Sequence, residues 1–316
     1  MGVAVGLGIA DFPFSDAAAY WRWVALCETG GIDSIWQTDR LVSHQPFLEC
    51  MTTMAALAGA TKRLKFGMNV VSVGLRDPLL LAKECATIDF LSGGRLLPAF
   101  GIGTRTAPGW KATGRPTKGR GKRTDEGLEI IARLWTGEAV TFEGDYYHYD
   151  KAQIAPLPAN KRIPLWIGGA SEAAIRRTGR FGTGWQGAFE PPEEVPGVIA
   201  RIHAAAAEFE RRIPYDHFGA AMAFRFGDWS DPPARKAADA FQGRFARDPK
   251  RHMAVGQAGD IIRRLEAFFE AGVHKFILRP IADDDEDILD QTQRFIDEVH
   301  PWIAEADAKS RAMEPG

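Results

Sequence analysis

The sequence predicts an α/β chain folded as a (β/α)8 (TIM) barrel with an insertion after strand four. Three observations carry that expectation. Short β-rich runs alternate with longer helical patterns along the 316 residues. Eight strand candidates can be counted, and they are apolar without strict alternation, the pattern of strands buried on both faces of a parallel sheet. Eight such units in one chain of this length suit a parallel sheet closed on itself.

The elements follow in order. Residues 3–9, apolar with interleaved glycines, open as a buried strand. Residues 16–29 place Ala19, Trp21, Val24, Ala25 and Leu26 at near-helical spacing and stop at Gly30-Gly31, a helix ended by glycine. The second strand is 33–39, the second helix 46–60, the third strand 65–73 and the third helix 77–91, where Asp77 suits an N-cap and Pro78 the first helical position. The fourth strand is 95–102. Residues 103–122, rich in Gly, Pro, Thr and basic side chains, have no apolar period and read as a long loop, a candidate lid. A helix at 124–134, opening on Thr124-Asp125-Glu126, and a hairpin at 139–149, turning at Glu143-Gly144-Asp145, come next. Strand runs resume at 165–167, 184–189, 218–226 and 275–278. Helices at 260–272 and 287–303 carry apolar stripes. Residues 1–316 are expected to form one barrel domain.

Composition narrows the function. Lys+Arg is 39 and Asp+Glu 41, a net charge of −2, which leaves no electrostatic footprint for nucleic acid or anionic lipid. No apolar run approaches the roughly 18 residues of a membrane helix, and the N-terminus reads as a strand rather than a signal peptide. A cytoplasmic protein with neither nucleic-acid nor membrane partners is expected. Cys27, Cys50 and Cys85 form no CxxC pair and read as reduced core thiols. The seven histidines are scattered, with no HxH or HExxH, so no metal is expected.

In a barrel the active site lies at the C-terminal ends of the strands. Those ends carry Asp11-Phe12, Thr38-Asp39-Arg40, the stretch 69–74, the stretch 101–106, Gly168-Gly169-Ala170-Ser171, Gly187-Ala188-Phe189 and Arg279-Pro280. Gly168-Gly169-Ala170-Ser171 sits between a strand run and a helix pattern. It reads either as a phosphate cradle of free N–H groups or as a tight turn with an ordinary serine cap. Gly101-Ile102-Gly103 lacks the third glycine of a dinucleotide fingerprint, since position 106 is Thr106. It either lets the backbone approach a flat ligand or turns the chain into the insertion. Asp39 and His44 read either as an acid/base or ligand-positioning pair, or as bland groups, Asp39 a surface partner of Arg40 or a helix-side cap and His44 a surface loop residue. GxSxG and a Walker A loop are absent. These polar groups suit a cofactor that brings its own chemistry.

Four blocks go further. They are residues 75–84 (LRDPLLLAKE) continuing to 89–95 (DFLSGGR); residues 123–128 (RTDEGL) before Leu134-Trp135; residues 154–171 (IAPLPANKRIPLWIGGAS) with Gly182-Thr183-Gly184-Trp185 behind them; and Val255-Gly256 with the helix ending Glu270-Ala271-Gly272. In this order, and over nearly the whole chain, they resemble the luciferase-like flavin-dependent oxidoreductases and monooxygenases. The resemblance implies a (β/α)8 barrel binding reduced FMN or the deazaflavin coenzyme F420. It implies hydride transfer to, or monooxygenation of, a small organic substrate, a flavin reductase partner in the FMN mode, and a homodimer. It places a third-strand bulge, often with a non-proline cis peptide, behind the isoalloxazine ring at Asn69-Val70, and the phosphate at Gly168, Gly169 and Ser171. Asp39 matches an acidic position common in the deazaflavin branch; the next residue there is usually His and here is Arg40. The loop after strand four departs too: the second glycine and the nearby acid are missing, with Arg105 and Pro108 in that stretch. On this reading Asp39, Asn69, Val70, Gly101, Gly168, Gly169, Ala170, Ser171, Gly187 and Ala188 hold the cofactor. Asp39 and His44 serve catalysis, and Arg40, Arg105, Trp110 and Arg279 face the substrate or form the lid. The rivals are a flavin- or deazaflavin-binding protein without turnover, and a phosphate-binding barrel isomerase or aldolase.

Overall fold

A computed structural model describes residues 2–9, 11–160 and 163–312; Lys161 and Arg162 of the third sequence block lie outside the described residues. The chain alternates β1 (Ala4–Ile9), α1 (Ala17–Thr29), β2 (Ser34–Gln37), α2 (Cys50–Ala60), β3 (Lys65–Ser72), α3 (Pro78–Ser92) and β4 (Leu96–Gly101). It then runs through α4 (Pro108–Ala112), α5 (Arg120–Trp135) and the strands β5 (Val140–Glu143) and β6 (His148–Ala152). Alternation returns with β7 (Trp166–Gly168), α6 (Glu172–Phe181), β8 (Gly184–Gly187), α7 (Val195–Ala207), β9 (Phe218–Phe226), α8 (Pro232–Phe245), β10 (Met253–Gly256), α9 (Ala258–Glu270), β11 (Lys275–Pro280), α10 (Asp285–Arg294) and α11 (His300–Ala312).

The main sheet has the order β10-β9-β11-β1-β2-β3-β4-β7-β8, and β9 also pairs β8. Without β10 this is the closed strand order of a (β/α)8 barrel, built from the eight expected strands. β10 adds a short ladder on β9, from Met253↔Ala223 to Gly256↔Phe226. The pair β5–β6 is antiparallel and forms a sheet of its own. No helix among the described residues is long and apolar enough to cross a membrane.

The chain divides into two compact units, residues 1–36, 186–201 and 214–316 in the first and residues 37–185 and 202–213 in the second. In the first, β11 pairs β1 on one side (Ala4↔Lys275) and β9 on the other (Lys275↔Gly219). Val5, Leu7, Phe276 and Leu278 are buried there. In the second, α3 starts as its sequence demands. Asp77 accepts from the N–H groups of Leu79 and Leu80, Pro78 follows, and Gly93 closes the helix at φ 69°. Arg95 then folds back and donates to the carbonyls of Leu64, Ala58 and Thr61 at 2.7 Å, 3.0 Å and 3.0 Å, capping the end of α2.

Several boundaries move. The helix expected at 46–60 begins at Cys50, because Glu49 takes the N-cap and accepts from the Thr52 N–H. The stretch 103–122 is not featureless: it holds α4 and the first residues of α5. The helix expected to open on Thr124-Asp125-Glu126 instead opens at Arg120 behind Gly119 at φ 77°. Thr124 is fully buried, so it cannot serve as an exposed cap. The stripe at 287–303 becomes α10, a π-helical turn at Phe295–Val299, and α11.

Candidate cofactor site

The candidate residues at the ends of β3, β4 and β7 belong to the second unit. β3 pairs β4 from Phe66↔Leu96 to Met68↔Pro98 and resumes at Val71↔Phe100, so Asn69 and Val70 together oppose Ala99. That is a β-bulge. The Asn69–Val70 peptide bond is cis. Both residues are half-buried between fully buried neighbours. Bulge and cis bond fall at the pair named by the resemblance.

Val70 accounts for two glycines. A Cβ on Gly101 would lie 2.7 Å from Val70 Cγ2, and one on Gly168 would lie 2.9 Å from Val70 Cγ1. The Val70 side chain fills the space those two missing carbons leave. Gly168→Ala is therefore expected to cost about 1–3 kcal/mol through overpacking. Adding Val70→Ala should recover most of that loss. Urea unfolding of the two single variants and the double variant checks it, and strictly additive losses would refute the wedge.

Just beyond β2, the Asp39 side chain is only 3% exposed. Arg76 grips it with both nitrogens, Nη1 to Oδ2 at 2.8 Å and Nη2 to Oδ1 at 3.1 Å, and the Ser72 N–H donates to Oδ2 at 3.0 Å. Nη2 also donates to Glu49 Oε1 at 2.6 Å and to Cys50 Sγ at 3.4 Å. Burial pulls the Arg76 pKa down, but its Cys50, Asp39 and Glu49 partners outweigh that and hold it above the usual arginine range. Burial acts upward on Glu49, yet the Thr52 N–H and Arg76 hold its carboxyl below the usual range. Burial, and next to it the Asp39 charge, pushes the Cys50 thiol well up. Ligand atoms of Asp39, Glu49 and Cys50 lie within 4.8 Å of one another, a spacing that could hold a metal ion. A metal would need the Cys50 thiolate, which burial disfavours, and the Arg76 guanidinium already bonds to all three side chains.

The structure pairs Asp39 with Arg76 and not with His44, which is exposed in the connection from β2 to α2. Arg40 lays its guanidinium over the Phe47 ring, 4.6 Å from the centroid.

Gly168 ends β7. Gly169 follows at φ 99°, a conformation that favours glycine, and its carbonyl accepts from Trp185 Nε1–H at 2.9 Å. Ala170 is half-buried. Ser171, exposed, caps α6 by accepting the Ala174 N–H at 3.3 Å. Capping leaves the hydroxyl proton free to donate, so cap and anion contact are compatible. Arg177 Nε meets Asp125 at 2.6 Å and Arg180 Nη2 meets Glu129 at 2.8 Å, so α5 and α6 run parallel and in step. Their N-termini lie at the same end, each with the positive pole of its dipole. Beside the start of α5 is a cavity of about 520 Å³ whose walls include Ile102, Arg105, Thr117, Lys118 and Arg120.

Trp110, expected to face the substrate or form the lid, is 2% exposed. Its Nε1–H donates to the Thr104 carbonyl at 3.0 Å, and Cβ atoms on Gly74 and Gly103 would lie 3.1 Å and 3.3 Å from its ring. It anchors the segment 103–119. The β5–β6 hairpin is tied down as well. Glu126 accepts from the N–H groups of Asp145, Tyr146 and Tyr147, and the Tyr149 hydroxyl donates to Asp77 at 2.9 Å. In the first unit, Gly187 is buried at the end of β8, the Ala188 N–H is taken by Glu190 at 3.0 Å, and Arg279 is half-buried in β11.

Residues 9–228 match the family described as luciferase-like monooxygenase. The chain belongs to that family. An uncharacterized protein of Mycobacterium tuberculosis is 35% identical over 173 residues, 54% of this chain and 59% of its own length; the chain thus spans under two thirds of that relative. An F420-dependent glucose-6-phosphate dehydrogenase of Rhodococcus hoagii is 26% identical over 304 residues, covering 85% of this chain and 89% of the relative. A solved F420-dependent secondary alcohol dehydrogenase, in complex with an F420-acetone adduct, superposes with a TM-score of 0.82 at 20% identity, covering 95% of this chain and 99% of its own. That likeness establishes the shared barrel fold of this luciferase-like chain.

Sequence reasoning missed Arg76, Lys118 and Arg120. Arg76 stood in the LRDP block with no role. Its position directly after the third strand was the available signal. Lys118 and Arg120 stood in a run, Lys118-Gly119-Arg120-Gly121-Lys122, read only as the end of a loop rich in basic side chains.

Proposed function

We propose that this protein is an oxidoreductase that binds a reduced flavin-type cofactor, F420 in preference to FMN, and exchanges a hydride with a small organic substrate. The observation that carries the reading is the bulge at Asn69-Val70, seated between Gly101 and Gly168, in the same unit as Asp39 and the turn that starts α6. The residues fit such a cofactor: a half-buried apolar seat for a flat ring, and N–H groups with a serine hydroxyl at a helix start for a phosphate. When bound, the cofactor supplies the two-electron chemistry.

The chain's residues do the rest. Val70 backs the ring, and Gly168, Gly169, Ala170 and Ser171 hold the phosphate. Asp39, whose two oxygens accept from Arg76, the Ser72 N–H and the Cys50 thiol, holds the turn after β3 in place. His44, facing solvent, is the group we assign to proton exchange. The segment 103–119, anchored by Trp110, covers the site on one side and limits water. Asp39 favours F420, and so does the F420-dependent relative that matches most of the chain. We further propose a homodimer. Leu80, Phe90 and Leu91 of α3 are 55%, 56% and 65% exposed, and a second copy would cover them. Sedimentation at micromolar concentration should show a species of twice 34.7 kDa, and a monomer would overturn this.

The test is a parallel titration with F420, FMN and reduced FMN, followed by fluorescence and calorimetry. Micromolar F420 binding with weak FMN binding is the expected result. Tight binding of reduced FMN alone would replace the reading with a monooxygenase that needs a flavin reductase. Binding of neither would end it.

A further inference from the structure

We propose that Arg279, at the C-terminal end of β11, reads a carboxylate on the substrate, so that the protein acts on small organic acids carrying an alcohol or carbonyl group; this rests on the oxidoreductase reading above and names its substrate class. Every residue involved belongs to the first unit. Side chains alternate between the two faces of a strand. On β11, Phe276 packs on Trp302 of α11; on β9, Phe224 packs on Phe295 and Phe226 lies under Arg294. Those rings face the outer helices, so Ile277 and Arg279 of β11 and Ala221, Ala223 and Arg225 of β9 face the barrel interior. On β1 the interior positions are glycines. A Cβ on Gly6 would lie 2.6 Å from Trp36 Nε1, and one on Gly8 would lie 3.3 Å from Arg279 Cγ.

The strand register stacks these residues in layers. Ile277 stands between Gly6 and Ala221. The Trp36 indole lies over Gly6, its Nε1–H donating to Ser34 Oγ at 2.9 Å, and is 8% exposed. Trp36 and Ile277 thus close the layer with apolar surface. One step nearer the strand ends, Arg279 stands opposite Ala223, with its stem resting on Gly8. A half-buried cation is flanked there by two residues with little or no side chain. Small neighbours and an apolar floor suit a short carbon chain, and the guanidinium suits its acid group.

The charge of that group follows from the other cations. Arg225 gives Nη1 to both oxygens of Asp287, at 2.9 Å and 2.8 Å, and to the Ile281 carbonyl at 2.7 Å. Lys236 pairs with Asp283 at 2.8 Å. Both are already matched by acids. One guanidinium matches one negative charge, and its fork matches the two oxygens of a carboxylate. A phosphate dianion calls for a second cation, and Arg225 is committed elsewhere.

The experiment pairs lactate with lactamide and β-hydroxybutyrate with β-hydroxybutyramide, and adds glycerol phosphate. Each amide keeps the shape of its acid and loses the charge. Calorimetry measures binding to the protein with and without F420, for the wild type, Arg279→Leu, Arg279→Lys and Gly8→Ala. The acids should bind at least about tenfold more tightly than their amides. Arg279→Leu should level the two, and Arg279→Lys should keep part of the difference. Gly8→Ala crowds the stem and keeps the charge, so it should weaken the acids by about threefold and the amides hardly at all. The wild-type comparison decides even where a variant fails to fold. Equal binding of acids and amides, binding of neither, tighter binding of glycerol phosphate, or an acid preference that survives in Arg279→Leu would each overturn the carboxylate reading; if F420 still binds, the cofactor reading stands. An acid preference without F420 binding would fail the proposed function and leave Arg279 as a carboxylate site.

Discussion

Arg76→Met should destabilise the protein by about 3–5 kcal/mol, the cost of removing one partner from a buried ion pair. Methionine keeps much of the side-chain volume but none of the charge. It strands the Asp39 carboxylate, whose side chain is 3% exposed, with only the Ser72 N–H and the Cys50 thiol nearby. Glu49, 41% exposed, can turn to solvent and loses little. Asp39→Asn should cost less than half as much, because Arg76 keeps Glu49 and the amide oxygen can still accept from Ser72. The order of the two variants is the informative part, and urea unfolding curves measure it. An Arg76→Met protein within about 1 kcal/mol of the wild type would mean that water compensates Asp39 and that the pair is not a fixed element of the site.

Trp110→Ala should cost about 3–5 kcal/mol as a buried large-to-small change, but its readout should be local. Trp110 is 2% exposed, yet it sits on a five-residue helix in a segment whose other side chains are largely solvent-facing. Its ring is what holds that segment to Gly74 and Gly103. Losing it should release residues 104–118 before the barrel itself melts. Limited proteolysis is expected to cut there in the variant and not in the wild type, with amide exchange accelerated over the same stretch. Cofactor affinity should fall alongside, because the cavity wall includes Arg105, Thr117 and Lys118. A variant as resistant to protease as the wild type would show that the segment is held by other contacts.

The barrel was legible because the strands stand out as short β-rich runs between longer helical patterns, and the eight that close the sheet all did. β10, Met253–Gly256, escaped because only its Val255-Gly256 end was noticed, as part of the fourth block. Helix starts were legible where the cap is chemical, as at Asp77-Pro78. They were misplaced where it is conformational, as at Gly119, whose left-handed backbone begins α5 four residues early. That misplacement kept Arg120 inside a supposed loop. Asp39 could be singled out from its place after a strand, but not its partner. Arg76 is 37 positions away, and the two meet only because the short 3-10 turn after β3, residues 73–75, brings the chain back. Gly101, whose missing side chain reads either as an approach for a flat ligand or as a turn into the insertion, stands against Val70, a neighbour that its local sequence does not show.

The unpaired cations of the α5 cavity bear on how fast a ligand arrives as well as how well it stays. The chain carries 39 cationic and 41 anionic side chains, so at long range it offers an anion no net attraction. Attraction begins only within about 8 Å of the cavity at physiological ionic strength. A phosphate-bearing ligand would therefore be drawn in by its anionic end first. Its association rate should fall steeply with added salt, while its dissociation rate, governed by the ring's apolar seat, should barely change.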